Sequence, residues 1–246
     1  MLLAAVDIGS NAARLLITEV MVTPSGETDF TKVNFLRIPQ NLGFDVFEKK
    51  EISEKKVNLL LPTLKAYKLL LDLYEVKYWK ACATSAMRDA ANAADILQRV
   101  KMETGIDLTI ITGQEEASLI YENHVAENMD KTKSYLYIDV GGGSTELTFF
   151  SGNVLIFKES FNIGTIRLLQ QQVSDDQWQQ MKLYIKQFTK GFKPIIAIGS
   201  GGNINKVFSL SKRKEGKPLT LEMLKDYSKE LSGVSLQERM HLYKMR

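Results

Sequence analysis

Cysteine is almost missing from this 246-residue chain. Cys82 alone, in the apolar run Tyr78-Trp79-Lys80-Ala81-Cys82-Ala83, excludes an internal disulfide and a thiolate metal cluster. Its neighbours predict a small buried hydrophobe rather than a reactive thiol. Histidine is scarce as well, and His124 and His241 stand in no ligand or relay spacing. No apolar run approaches the roughly 18 residues that span a bilayer, and no basic region precedes an apolar one at the start of the chain. These absences point to a cytoplasmic protein with no membrane partner. Charge of one sign is lacking too: 32 basic residues against 29 acidic leave a net +3, too small and too scattered for a nucleic-acid surface. The signatures Gly-x-Gly-x-x-Gly, Gly-Lys-Ser/Thr and Gly-x-Ser-x-Gly are all absent, which removes a Rossmann fingerprint, a Walker loop and a serine nucleophile elbow. Water is left as the expected nucleophile.

What remains is ordinary in composition, with 44% hydrophobic and 25% charged residues, and is long enough for one large domain or two medium ones. Short apolar runs (Leu2 to Ile8, Leu15 to Val22, Phe35 to Ile38, Tyr78 to Ala83, Leu108 to Ile111, Tyr135 to Val140, Leu147 to Phe150, Pro194 to Ile198) predict strands. Helical spacing predicts helices over Ser53 to Leu73, Ala91 to Lys101, Glu115 to Glu127, Asp175 to Thr189 and Leu221 to Leu231. Ser174 with Gln177, and Ser235 with Glu238, have capping-box spacing. The alternation argues α/β with a mixed sheet.

One internal repeat organises the chain. Asp7-Ile8-Gly9-Ser10-Asn11-Ala12-Ala13-Arg14 matches Asp139-Val140-Gly141-Gly142-Gly143-Ser144-Thr145-Glu146: a strand ends in Asp-x-Gly, small residues turn, and a second strand follows. Seven residues past each Asp stands a charge, Arg14 in one copy and Glu146 in the other. Two lobes of like topology are expected, 1–124 and 125–246, with the boundary in a polar stretch near Asn123 to Lys133.

Gly141, Gly142 and Gly143 let a backbone approach a ligand, and successive amides there can converge on phosphate oxygens. Asp139 beside them would repel phosphate unless a hard cation such as Mg²⁺ lay between, with Glu146 as the second carboxylate. A tight structural hairpin is the plainer alternative. The loop Gly199-Ser200-Gly201-Gly202-Asn203 precedes a helix whose free amides could face an anion, or it serves only as a turn. Glu115 and Glu116 open a helix after a strand, where acids are favourable in any case; one of them could instead serve as a base. Arg88, past another strand end, could reach phosphate or make a surface ion pair.

The runs Asp7 to Asn11, Ala83-Thr84-Ser85-Ala86-Met87-Arg88-Asp89, Glu115-Glu116-Ala117, Asp139 to Glu146 and Ile198-Gly199-Ser200-Gly201-Gly202 resemble, in order, the exopolyphosphatase / guanosine pentaphosphate phosphatase family. The resemblance implies two ribonuclease-H-like (actin-like) lobes, mixed sheets flanked by helices, and a cleft between them. It implies Glu116 as catalytic base and Asp139, Glu146 and Asp7 as acids of a Mg²⁺ site. Arg14, Arg88, Asn11, Gly201, Gly141, Gly142, Gly143 and Ser144 are implied as phosphate-binding. Inorganic polyphosphate or guanosine pentaphosphate is the implied substrate, with no nucleic-acid polymer bound and a homodimer as the assembly. An ATP-dependent kinase or ATPase of the same superfamily, and a non-catalytic alarmone or polyphosphate binder, remain open. Two departures stand out: Ala12 and Ala13 replace larger side chains usual in the first turn, and the second lobe is expected to be incomplete, lacking a final arginine-bearing segment and closing helices.

Overall fold

In a computed structural model the described residues are 1–23, 26–116, 130–152, 154–214 and 216–244. The first half builds a five-stranded sheet from β1 (Leu2–Ile8), β2 (Ala12–Val22), β3 (Thr28–Pro39), β4 (Tyr78–Ala83) and β5 (Leu108–Ile110) in the order β3-β2-β1-β4-β5. The second half builds a four-stranded sheet from β6 (Ser134–Val140), β7 (Thr145–Ser151), β8 (Val154–Phe161) and β9 (Ile195–Ser200) in the order β8-β7-β6-β9. In each, a strand–hairpin–strand meander is antiparallel and the next strand joins the first in parallel. The repeat seen in the sequence is therefore a repeat of topology. It extends to irregularities: the register shifts at Ile17/Thr18 and at Phe149/Phe150, the same distance past Asp7 and Asp139. A bulge preserved at one position in both copies bends both sheets alike.

Helices follow the strands in matching places. They are α1 (Leu42–Lys49), α2 (Glu54–Leu73), α3 (Ser85–Asp89), α4 (Ala93–Thr104), the helical residues 113–116 (α5), α6 (Thr165–Leu169), α7 (Asp175–Phe188), α8 (Gly202–Leu210), α9 (Leu221–Ser232) and α10 (Leu236–Leu242). Period-two alternation turns Val6, Ile8, Leu15, Ile17, Ala81 and Ala83 to one face of the first sheet. There they meet Val57, Leu60, Leu64, Tyr67 and Leu71 of α2 and Ile96 and Val100 of α4. Helix α2 runs through Pro62, which lies on its exposed side. The second core is smaller and aromatic: Phe149 and Phe157 stack at 5.5 Å and meet Tyr184 and Phe192 edge-on. Both capping boxes form, at Ser174/Gln177 and Ser235/Glu238.

The sequence pattern understates several elements. Strand β3 is far longer than Phe35 to Ile38 because Asp29, Lys32 and Arg37 punctuate an edge strand facing water. Lys158-Glu159-Ser160 hides β8 in the same way, and α1 and α6 are too short to show a period. The expected boundary at 124/125 and most of the helix over Glu115 to Glu127 lie outside the described residues.

The two turns of the repeat press against each other. Ser10 Oγ hydrogen-bonds Ser85 Oγ at 2.8 Å, and a Cβ placed on Gly143 would fall 2.6 Å from Phe47 Cζ and 3.0 Å from Ser10 Oγ. One placed on Gly142 would fall 2.9 Å from Asn11 Nδ2. Close approach thus accounts for these glycines, none of which has a left-handed φ. Gly143→Ala should therefore destabilise the fold by about 1–3 kcal/mol, the usual cost of overpacking. Gly202→Ala, where a Cβ meets nothing within 4 Å at the start of α8, should be neutral or slightly stabilising when both variants are compared with wild type by urea unfolding.

Candidate active site

The site is assembled by register. Asp139 faces Glu146 across the β6–β7 ladder, Ser160 flanks Glu146 on β8, and Ser200 flanks Asp139 on β9, so one row reads Ser160, Glu146, Asp139, Ser200. Directly paired residues share a face, so the two acids stand side by side. Each accepts a hydroxyl: Ser160 Oγ donates to Glu146 Oε1 at 3.0 Å, and Ser200 Oγ to Asp139 Oδ1 at 2.6 Å. The matching row of the first sheet reads Arg37, Arg14, Asp7, Cys82, Thr109. Here the residue seven past the Asp is basic, and Arg14 Nη1 donates to Asp7 Oδ2 at 2.6 Å across the half-exposed hairpin. Cys82 is half-buried beside Asp7 rather than sealed in the core, and burial pushes its thiol upward.

The pair Glu115 and Glu116 is resolved by a cap. Thr112 N–H donates to Glu115 Oε2 at 2.7 Å, and Glu115 N–H donates to Thr112 Oγ1 at 3.1 Å. This reciprocal capping box spends Glu115 on the start of α5 and holds its carboxyl below the usual range. Glu116, the next residue, turns about 100° away. Burial, reinforced by Glu146, Asp7 and Asp139 and opposed by Arg88, pushes its pKa to about 8. Arg88 Nη1 stands 4.0 Å from Glu116 Oε2 while donating to Ile111 O at 2.8 Å. Glu116 Oε2 itself is buried without a hydrogen-bond partner. Burial, with a smaller push from Asp139, also raises Glu146.

The glycine turn between Asp139 and Glu146 is tied back through its carbonyls. Thr165 N–H donates to Gly141 O, Ile166 N–H to Gly142 O, and Arg167 Nε to Gly143 O, at 3.0, 2.8 and 2.7 Å. In a trans peptide the carbonyl and the following N–H point in opposite directions. Tying three carbonyls to α6 therefore turns the N–H groups of Gly142, Gly143 and Ser144 the other way, as three donors in a row. The first turn is held alike: Gly43 N–H donates to Ser10 O, and Gln40 and Asn41 N–H donate to Asn11 O. Asn11 stands against Gly142, while Gly201, with φ 105°, packs on the end of β6, where a Cβ would lie 2.5 Å from Val140 O. Ala12 and Ala13 are wholly buried, so the departure there concerns packing.

Sequence reasoning missed Ser160, Ser200 and Arg167. The two serines are visible only through cross-strand register, although Ser200 sits within the glycine loop Gly199 to Gly202. Arg167 gives no local signal, because its burial comes from α1 and α3.

Among the described residues no three acids, cysteines or histidines converge on a ready-made metal chelate. The donor set nevertheless fits Mg²⁺: paired carboxylates with hydroxyl neighbours, and a buried carboxylate oxygen with no hydrogen-bond partner. Asp139 and Glu146 would hold such an ion, with waters and ligand oxygens filling the remaining positions.

These features define a two-lobed α/β protein in which paired carboxylates flank a glycine turn, an arrangement suited to phosphate chemistry. The model of the Ppx/GppA phosphatase family matches residues 37–246, and the chain belongs to that family. It is 34% identical over 175 residues to the bifunctional 3-dehydroquinate synthase/phosphatase of Fusobacterium nucleatum, covering 67% of this chain and 25% of that protein. With Exopolyphosphatase 1 of Mycobacterium tuberculosis it shares 28% over 180 residues, covering 72% of this chain and 50% of that protein. The chain thus spans between a quarter and half of these curated relatives. The crystal structure of an exopolyphosphatase from Cytophaga hutchinsonii superposes with a TM-score of 0.79 at 25% identity, covering 98% of this chain and 82% of that one. Mixed α/β architecture with two helix-flanked sheets is thereby common to both.

Because Glu116 is raised from its ordinary 4.5 to about 8, the folded state holds a proton that the unfolded state releases. Without divalent cation, that stabilisation is complete below pH about 4.5 and is lost as pH rises to about 8. Urea unfolding in chelator across this range should show stability falling, and Glu116→Gln should flatten the fall. A slope unchanged by the substitution would contradict the burial of this carboxylate.

Proposed function

We propose that this chain is a phosphohydrolase that releases the terminal phosphate of a phosphoanhydride chain, inorganic polyphosphate or guanosine pentaphosphate, by attack of water. The observation that carries the reading is Glu116 Oε2, buried without a hydrogen-bond partner, 4.0 Å from Arg88 and under the influence of Glu146, Asp7 and Asp139. Glu116 orients the water and takes its proton; the burial that raises it to about 8 makes its ionised form a strong base, present in growing fraction as pH rises toward that value. Amides of Gly142, Gly143 and Ser144 bind the terminal phosphate oxygens, with Asn11 and the end of the loop at Gly201 on either side. Arg88, already facing Glu116, meets charge that develops on the transferred group. Arg14 reaches phosphate by exchanging its contact with Asp7. Magnesium held by Asp139 and Glu146, with Asp7 in the same acidic set, supplies neutralisation of the phosphate charge when bound.

Glu116→Gln should cut phosphate release by roughly 10²–10⁴-fold with little change in substrate binding. Glu115→Gln should cost far less rate, since it loosens a helix cap. Equal losses at the two positions would overturn the assignment. Asp139→Ala should abolish the response of activity to added Mg²⁺. Release measured from polyphosphate and guanosine pentaphosphate side by side, with and without Mg²⁺, identifies the substrate; release from neither refutes the reading.

A further inference from the structure

Arg167 is charged yet buried to 8% exposure, and its guanidinium is engaged on three sides. Nε donates to Gly143 O at 2.7 Å, Nη2 pairs with Asp89 of α3, and Cζ lies over the Phe47 ring of α1, 4.0 Å from its centroid. Asp89 and Phe47 belong to the first lobe, Gly143 to the second. The first turn is held differently in one respect. There every carbonyl tie comes from backbone, including two N–H groups on Asn11 O. In the second turn backbone supplies the ties to Gly141 O and Gly142 O and leaves Gly143 O to this one side chain.

We infer that Arg167 is a positioning residue that aims the Ser144 amide into the cleft and makes that aim depend on how the first lobe is seated. The chemistry is that of one peptide unit: Gly143 C=O and Ser144 N–H point oppositely, so fixing one fixes the other. Lysine is a poor replacement for arginine here, because its compact ammonium lacks the planar fork that reaches a carbonyl and a carboxylate from over the face of an aromatic ring. Helix α3 makes the coupling direct. Its Arg88 faces Glu116 and its Asp89 holds Arg167, so one short helix orients the candidate base's neighbour and the amide row together. The inference rests on the phosphohydrolase reading only in taking the bound anion to be a substrate phosphate.

The test compares wild type, Arg167→Lys and Asp89→Asn by backbone NMR order parameters, by binding of magnesium tripolyphosphate, and by melting temperature. In wild type, Ser144 should be rigid, with an order parameter of about 0.85, and Arg167→Lys should drop it below about 0.6. Tripolyphosphate affinity should fall by about tenfold in Arg167→Lys, the worth of one well-aimed charge-facing donor. Asp89→Asn keeps the Gly143 bond but loosens its anchor, so both readouts should move the same way by less. A lower melting temperature with Ser144 still rigid and affinity unchanged would make Arg167 a plain brace and overturn the inference. If wild type releases no phosphate, the proposed function fails, while the order parameter of ligand-free Ser144 still decides the role of Arg167.

Discussion

Contact between two Asp-x-Gly turns governs the geometry of this protein. Each turn closes the same way, by Gly9 N–H to Ala12 O at 3.0 Å and Gly141 N–H to Ser144 O at 2.9 Å. Ser10, Ser85 and Asn11 then reach so close to Gly142 and Gly143 that no side chain fits there. The carbonyls of both turns are tied back to α1 and α6, helices that also pack against each other. Polar backbone at a lobe junction must be satisfied or it costs stability, and tying the carbonyls back turns the amides that follow them to the opposite side. Structure and site therefore use the same atoms.

Crowded carboxylates are the second constraint. Asp7, Asp139, Glu146 and Glu116 influence one another through a poorly solvated cleft, and the two glutamates respond by holding protons more tightly. Hydroxyls from Ser160 and Ser200 relieve part of the strain without adding charge. In the first turn Arg14 does the same for Asp7 as a cation. The repeat has thus diverged at one position, seven residues past each Asp, into a basic site and an acidic one. That single difference leaves the second row with two carboxylates and no arginine of its own.

Much of this was legible in the sequence because it is local. Asp-x-Gly followed by small residues announces a turn, and its recurrence announces two lobes; the strands from Leu2–Ile8 and Tyr78–Ala83 fall where the pattern places them. Pairing of Asp139 with Glu146 follows from hairpin arithmetic once the turn is known. Other features depend on distant contacts. Glu115 and Glu116 are interchangeable on paper until the cap at Thr112 claims one of them. Cys82 reads as core but stands beside Asp7, because the parallel register between β1 and β4 is not written in either strand. Arg167, buried by residues far away in the chain, leaves no trace in its own neighbourhood.

The central claim is that water, activated by Glu116, attacks a terminal phosphorus held by the glycine turn. Hydrolysis of magnesium tripolyphosphate in ¹⁸O-enriched water tests it most directly. The account predicts one solvent oxygen in each orthophosphate released, with no nucleotide required and with labelled product lost in Glu116→Gln. Orthophosphate free of solvent oxygen, or release that depends on an added phosphate acceptor, would contradict it.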